Sequence, residues 1–446
     1  MTEVQLIQQV RVLDPVSQTD QVADVLVQDG VVAAIVQDWP EANAPTIPAI
    51  PADAEPIAGQ GKVLLPGLVD LYSHSGEPGQ EARETLDSFL AAAKAGGFTR
   101  LGVLPNTEPA IDHPAMVETL RSRRQVIAQS QGSVPQIYPW AALTLGTQGE
   151  RMTELAELAA APIVGFADGR ALQNSLLTQR LLQYLAPLGK PVALWSCDRN
   201  LRSTGVAREG PFSLVYGLTG DPASSETSAL AALLEAVAEV GTPVHLMRLS
   251  TARGVELVAQ AKARGVPVTA STTWMHLLFN AQDLQTYDPN LRLAPPLGNP
   301  VDQQALVEGV KSGVIDAIAV DHTPHTYEDK TVGFPSAPPG AIGLELALAM
   351  LWHTFVTQGD WSPLTLVQAL STRPATCWNQ PPPTIQPQQP AEMVLFDPAE
   401  PWTVTNETLQ SLSANTPWLG QEISGRVLRT WISLIGSNSP KAKTCL

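Results

Sequence analysis

The stretch Leu64–Gly79, "LLPGLVDLYSHSGEPG", carries an apolar run directly into a segment rich in Ser, His, Gly and Pro. The run has the composition of a buried strand, and the polar segment marks where that strand ends. Residues two apart on a strand share a face, so positions 72 and 74 point the same way. Two histidines placed like that would offer two imidazoles to one metal ion. Here the pair is Tyr72 and His74, which leaves a single imidazole.

Outward from this strand the same pattern repeats. Short apolar runs follow at "TRLGVLPNT", "QIYPWAALT", "PIVGFADG", "PVALWSC", "PVHLMRLS", "VPVTAST" and "IDAIAVDHTPH". Amphipathic stretches such as "RETLDSFLAAAKAGG", "TSALAALLEAVAEVG" and "ARGVELVAQAKARG" lie between them, each closing on a glycine that suits a helix C-terminus. Eight apolar strands mostly separated by helices predict an α/β fold, a closed parallel TIM-like (β/α)8 barrel. Val/Ile-rich runs also occur at both chain ends: "VQLIQQVRVLD", "VADVLVQDG" and "VVAAIVQD" near the start, "AEMVLFDP" and "RVLRTWISLIG" after the proline-rich "NQPPPTIQPQQP". The simplest packing pairs these ends in a small β-sandwich domain. The expected organisation is residues 1–61 as its N-terminal part, 62–380 as the barrel, 381–436 as its C-terminal part, and 437–446 as a flexible tail.

Composition narrows the function. At 446 residues, 44% hydrophobic and 16% charged, the chain can bury a large core. A net charge of −16 without a Lys/Arg-rich stretch argues against nucleic acid and anionic membrane as partners. Three cysteines at unrelated spacings give neither a disulfide framework nor a zinc knuckle. With no signal core and no apolar run of the roughly 20 residues needed to span a bilayer, the expectation is a cytoplasmic protein.

Several motifs together resemble the dihydroorotases of the amidohydrolase superfamily. "PGLVDLYSHSGEPGQEARET", "AGGFTRLGVLPNTEPAID", "AKARGVPVTA", "IDAIAVDHTPHTYEDK" and "APPGAIGLE" follow that family's order, and "STRPA" and "EMVLFDP" extend the match to the C-terminal strands. The resemblance implies metal ligands after strands one, four, five, six and eight. By position these fall on Tyr72 with His74, Asp168, Trp195, Arg248 and Asp321. Only His74, Asp168 and Asp321 keep a ligand type. Zinc takes N, O or S donors at about 2.0–2.3 Å, which an indole N–H and a guanidinium do not supply. Arg248 could instead pair with Asp168 or Asp321 and replace the metal's charge.

The resemblance also assigns substrate contacts. Asn106, His325 and the turn containing Pro339 and Gly340 remain, whereas Gly76, Ala294 and Gly298 stand where the family carries Arg, Asn and Arg. Asp321 would be the general base of any remaining chemistry. His322 reads as structural, and His245 and His276 as hydrogen-bonded core or loop residues. Two functions follow as expectations. One is a catalytically inactive dihydroorotase-like protein of pyrimidine biosynthesis without a cofactor, similar to the non-catalytic subunits that assemble as oligomers with aspartate carbamoyltransferase. The other is an active cyclic amidohydrolase, using zinc at a reduced site to hydrolyse dihydroorotate to N-carbamoyl-aspartate or acting on a related cyclic amide. A metal-free small-molecule binder is a third possibility.

Overall fold

A computed structural model describes residues 4–37, 51 and 54–432; the tail expected at 437–446 lies outside them. All eight barrel strands form where the apolar runs fall. They are β1 (Leu68–Ser73), β2 (Phe98–Val103), β3 (Gln136–Ala141), β4 (Gly165–Phe166), β5 (Val192–Trp195), β6 (Val244–Met247), β7 (Val268–Thr273) and β8 (Ala317–Ala319). Neighbours in sequence are neighbours in the sheet, and each pair is parallel.

The last seam, between β8 and β1, is tied largely by a side chain. Asp70 accepts from the Val320 N–H at 2.8 Å and from Ser73 Oγ at 2.5 Å, while the His74 N–H donates to the His322 carbonyl at 2.9 Å. Burial pushes the Asp70 carboxyl up to about 7.

Helices cover the outside: α1 (Leu86–Ala95), α2 (Pro114–Gln131), α3 (Leu155–Ala160), α4 (Ser175–Leu185), α5 (Ser224–Val240), α6 (Ala252–Ala263) and α7 (Pro300–Ser312). The sequence signals at their ends hold. Thr85 and Ser88 form a capping box on α1, Thr251 caps α6, and Gly241 closes α5 with φ +80°. Inside the barrel, large and small side chains alternate in space: Tyr72, Trp140 and Met247 pack with Ala167, Ala193, Ala317 and Ala319. The barrel axis is therefore a packed core.

The chain ends meet in one seven-stranded sheet. Val4–Asp14 pairs antiparallel with Thr19–Gln28, and Met393–Thr403 pairs with Glu422–Trp431. Val63–Pro66, expected at the start of the first barrel strand, belongs to this sheet, between Val4–Asp14 and Met393–Thr403. The switch comes at Gly67, whose N–H donates to the Glu392 carbonyl and where a Cβ would lie 2.3 Å from Thr99 Oγ1. Among the described residues no helix is long and apolar enough to cross a membrane.

Candidate functional site

A cavity of about 290 Å3 opens at the C-terminal ends of the barrel strands, the end where such barrels place their chemistry. Its wall includes His74, Asn106, Trp195, Arg248, Asp321 and the Pro339–Gly340 turn. At its centre Arg248 meets Asp321 in a two-pronged ion pair: Nε donates to Oδ2 at 2.7 Å and Nη2 to Oδ1 at 2.6 Å. Nη1 donates to the Gly169 carbonyl at 2.9 Å. The guanidinium carbon also lies 5.2 Å from the Trp195 ring centre and 5.5 Å from that of Tyr72, near enough for cation–π attraction. Burial opposes the Arg248 charge, but the Asp321 carboxylate keeps the guanidinium above its ordinary value. Both residues of the pair hold positive φ, +57° for Arg248 and +53° for Asp321, a conformation non-glycine residues adopt rarely. The two side chains are thus aimed by backbone turns just past β6 and β8.

The first-strand position fills differently. Tyr72 is fully buried; its hydroxyl pairs with Ser271 Oγ at 2.8 Å and accepts from the Arg248 N–H at 3.2 Å. Burial pushes this phenol up, away from ionisation. Ser271 continues the chain to His245 Nε2 at 2.8 Å, and His245 Nδ1 reaches Thr269 Oγ1 at 2.9 Å. Burial lowers His245 to about 3 and His74 to about 4, so both imidazoles are neutral at pH 7.

Asp168 does not join this group. Its carboxylate accepts from the Leu143 and Thr144 N–H groups at 2.8 and 3.0 Å and from Thr144 Oγ1 at 2.6 Å, so it ties β4 to the loop after β3. Ala167, one residue earlier, faces the barrel core instead. The pairing of Arg248 with Asp168 envisaged from sequence is therefore not made; of the two carboxylates it is Asp321 that takes the guanidinium.

His325 is likewise displaced from the cavity wall. Its Nε2–H donates to the Pro339 carbonyl at 3.0 Å, its buried Nδ1 makes no hydrogen bond but lies 3.7 Å from Asp329 Oδ2, and burial lowers it to about 4. Asn106 does line the cavity, with a buried Oδ1 that no donor meets. His322 bridges Glu84 at 3.2 Å and accepts from the Gly343 N–H at 3.1 Å.

The two glycines at which the resemblance implies arginine are closed to a side chain. At Gly76 (φ +72°) a Cβ would stand 2.3 Å from the Glu84 carbonyl oxygen. At Gly298 it would stand 2.5 Å from Asp302 Cβ. Neither backbone has room for a side chain. Beyond Arg248, positive charge at the cavity comes from residues the sequence reading passed over: exposed Arg170, and Arg83, whose Nε lies 3.0 Å from Asp329. Both lie in loops after strands and carry no periodic signal.

A zinc site of the family type can be tested against these donors. Zinc in a catalytic site takes three protein ligands and leaves one position open. Among the described residues no group of three or more His, Cys, Asp and Glu side chains is placed to hold an ion. Asp168 is turned away, Asp321 gives both oxygens to Arg248, and His74 is left as a lone imidazole. A fixed guanidinium about 5 Å from a dication would repel it by about 7 kcal/mol at an effective dielectric near 20. The donors present do not fit the ion.

This architecture, an eight-stranded barrel with a sheet built from both chain ends, is shared with solved hydantoinases. L-hydantoinase from Arthrobacter aurescens superposes with a TM-score of 0.79 over 97% of both chains at 23% identity, which speaks to the fold alone. The family model "Dihydro-orotase-like" matches residues 61–253. A "Probable dihydroorotase-like protein" of Synechocystis is 44% identical over 96% of this chain and 99% of its own. A "Dihydroorotase" of Pelotomaculum thermopropionicum is 36% identical over 95% of each. The chain belongs to the dihydroorotase-like family.

Proposed function

We propose that this chain is a catalytically inactive dihydroorotase-like protein of pyrimidine biosynthesis and serves as a structural partner of aspartate carbamoyltransferase. The observation that carries the inactive half is the Arg248–Asp321 pair. A general base needs a free carboxylate oxygen, and both oxygens of Asp321 hold a guanidinium at 2.6–2.7 Å. Without a suitably held metal, neither that carboxylate nor a lone neutral His74 generates hydroxide at pH 7. An anionic substrate would also lose its bidentate partner, since Gly76 and Gly298 leave no space for arginine. A barrel that keeps its frame without its chemistry is suited to a scaffold's role.

Co-expression with aspartate carbamoyltransferase of the same organism tests the partner half. One co-eluting assembly larger than either protein is expected, with carbamoyltransferase activity or stability falling when this chain is withheld. Separate elution with unchanged activity overturns it.

A second reading, an active cyclic amidohydrolase, draws support from the relatives named dihydroorotase and from a cavity that is still open and lined by His74, Asn106 and Asp321. Turnover of dihydroorotate to N-carbamoyl-aspartate by the purified protein would establish it in place of the first.

A further inference from the structure

We propose, resting on the metal-free reading of this site, that the cavity at the top of the barrel binds a small organic carboxylate and that Arg170 grips it. Charge is the first observation. The chain carries −16 overall, yet the charged side chains lining this cavity are three arginines, Arg83, Arg170 and Arg248, and one carboxylate, Asp321. Asp321 and Arg248 cancel each other in their two-pronged pair. Arg83 has Asp329 at 3.0 Å and donates to Gln80 Oε1 at 3.1 Å. Arg170 is left over: it is exposed, and among the described residues it makes no hydrogen bond and no ion pair. Asp168 is near enough to feel its charge, but that carboxylate is taken by Leu143 and Thr144.

Uncharged donors open onto the same space. Among the described residues, the two ring nitrogens of His74 and the Nδ2 of Asn106 have no hydrogen-bond partner, and unlike Asn106 Oδ1 none of the three is sealed from solvent. Burial keeps the His74 imidazole neutral at pH 7, so one of its nitrogens donates. Arg170 leaves the chain beside these groups: a Cβ on Gly169 would stand 3.3 Å from Asn106 Oδ1. The Gly169 carbonyl is held in turn by Arg248 Nη1 at 2.9 Å, which fixes the loop that carries Arg170.

Size and lining narrow the occupant. Trp195, Leu293, Ala294, Val320 and Ala341 give the cavity apolar wall that an inorganic ion would leave wet. A cavity of about 150 Å3 takes benzene, so one of about 290 Å3 has room for a six-membered ring bearing a carboxylate. A guanidinium can hold that carboxylate with two parallel N–H···O bonds. The resemblance puts the arginines for an anionic substrate at positions 76 and 298, which are glycines here. Arg170 comes instead from the loop after β4, so the carboxylate is held from another wall.

Benzoate and its uncharged counterpart benzamide, titrated calorimetrically into the full chain with and without a strong chelator, test the proposal. Benzoate should bind, benzamide should bind about tenfold more weakly, and the chelator should change neither. Arg170→Gln should weaken benzoate by about tenfold, the value of one charged hydrogen bond, and leave benzamide unchanged. Arg170 is exposed and makes no contact the fold needs, so this variant should keep the wild-type melting temperature. Arg121→Gln, on α2 and paired with Glu118, should leave benzoate binding unchanged. Benzoate binding untouched by Arg170→Gln, or weakened as much by Arg121→Gln, overturns the proposal. So does benzamide binding as tight as benzoate, or no benzoate binding at millimolar concentration. Benzoate binding that the chelator abolishes overturns instead the metal-free reading beneath it.

Discussion

Two sets of buried residues meet at the top of this barrel, and they differ in what their environment leaves free. One is a set of carboxylates that brace the scaffold. Glu226 accepts from the N–H and hydroxyl of both Ser250 and Thr251 at 2.5–3.1 Å. Glu84 accepts from Ser411, from the Leu412 N–H and from Ser88, and Asp70 and Asp168 each tie neighbouring strands. The other set stands where the resemblance places metal ligands that this chain does not keep: Tyr72, Trp195 and Arg248. Bulk, an aromatic face and a fixed cation have replaced donors there. The contrast teaches that the hydrogen bonds holding the strand ends in place are independent of the metal chemistry they frame. The scaffold persists because its carboxylates have protein partners.

If that is right, bracing carboxylates matter most to stability. Glu226→Ala leaves two buried N–H groups and two hydroxyls without their acceptor, and removes one of the two carboxylates near fully buried Arg208, the other being Asp221 at 3.7 Å. It should lower unfolding free energy by about 3–5 kcal/mol in chemical denaturation. A loss under about 1 kcal/mol would mean that water replaces this acceptor and that the brace is dispensable.

Arg248→Ala is expected to come next, at about 2–4 kcal/mol, because Asp321 keeps some contact with solvent. The double variant Arg248→Met with Asp321→Leu should recover most of that loss, since replacing a buried pair by apolar side chains is often neutral. A double variant no more stable than Arg248→Ala would show that the pair does more than neutralise itself.

The smallest effect is one of pH. Burial holds His245 near 3, against about 6.5 in the unfolded chain. Below pH 6.5 the unfolded chain takes up a proton that the folded one refuses, so this contribution is present above 6.5 and is lost as pH falls toward 3. His245→Gln should therefore lose about 1–2 kcal/mol less than the wild type between pH 7 and 5. Equal losses would place the acid sensitivity on other groups.

Much of this was legible in the sequence, and the gaps have physical causes. The eight strands could be read because parallel strands covered on both faces are continuous apolar runs; even the two-residue β4 sits in "PIVGFADG". That Arg248 would pair with a carboxylate of the site followed from its type and position. Its choice of Asp321 over Asp168 did not, because Asp168 follows the end of its strand, where alternation no longer fixes direction. Thr144 and the backbone beside it capture that carboxylate instead. Glu226 was invisible for another reason. It stands in the first turn of a helix, where acidic residues are common, and its partners lie 24 and 25 residues away. Gly76 could be read as a lost arginine; that its left-handed backbone packs on Glu84 needed the fold.

The central claim is that Arg248 holds the place and charge of a metal ion. Metal analysis of protein purified without added zinc, paired with its melting temperature before and after a strong chelator, tests it most directly. A tightly bound ion stabilises the folded state by mass action, so its removal lowers the melting temperature. The expected result is well under one equivalent of any divalent metal and no chelator-induced shift. A stoichiometric metal whose removal lowers the melting temperature by several degrees would contradict the claim.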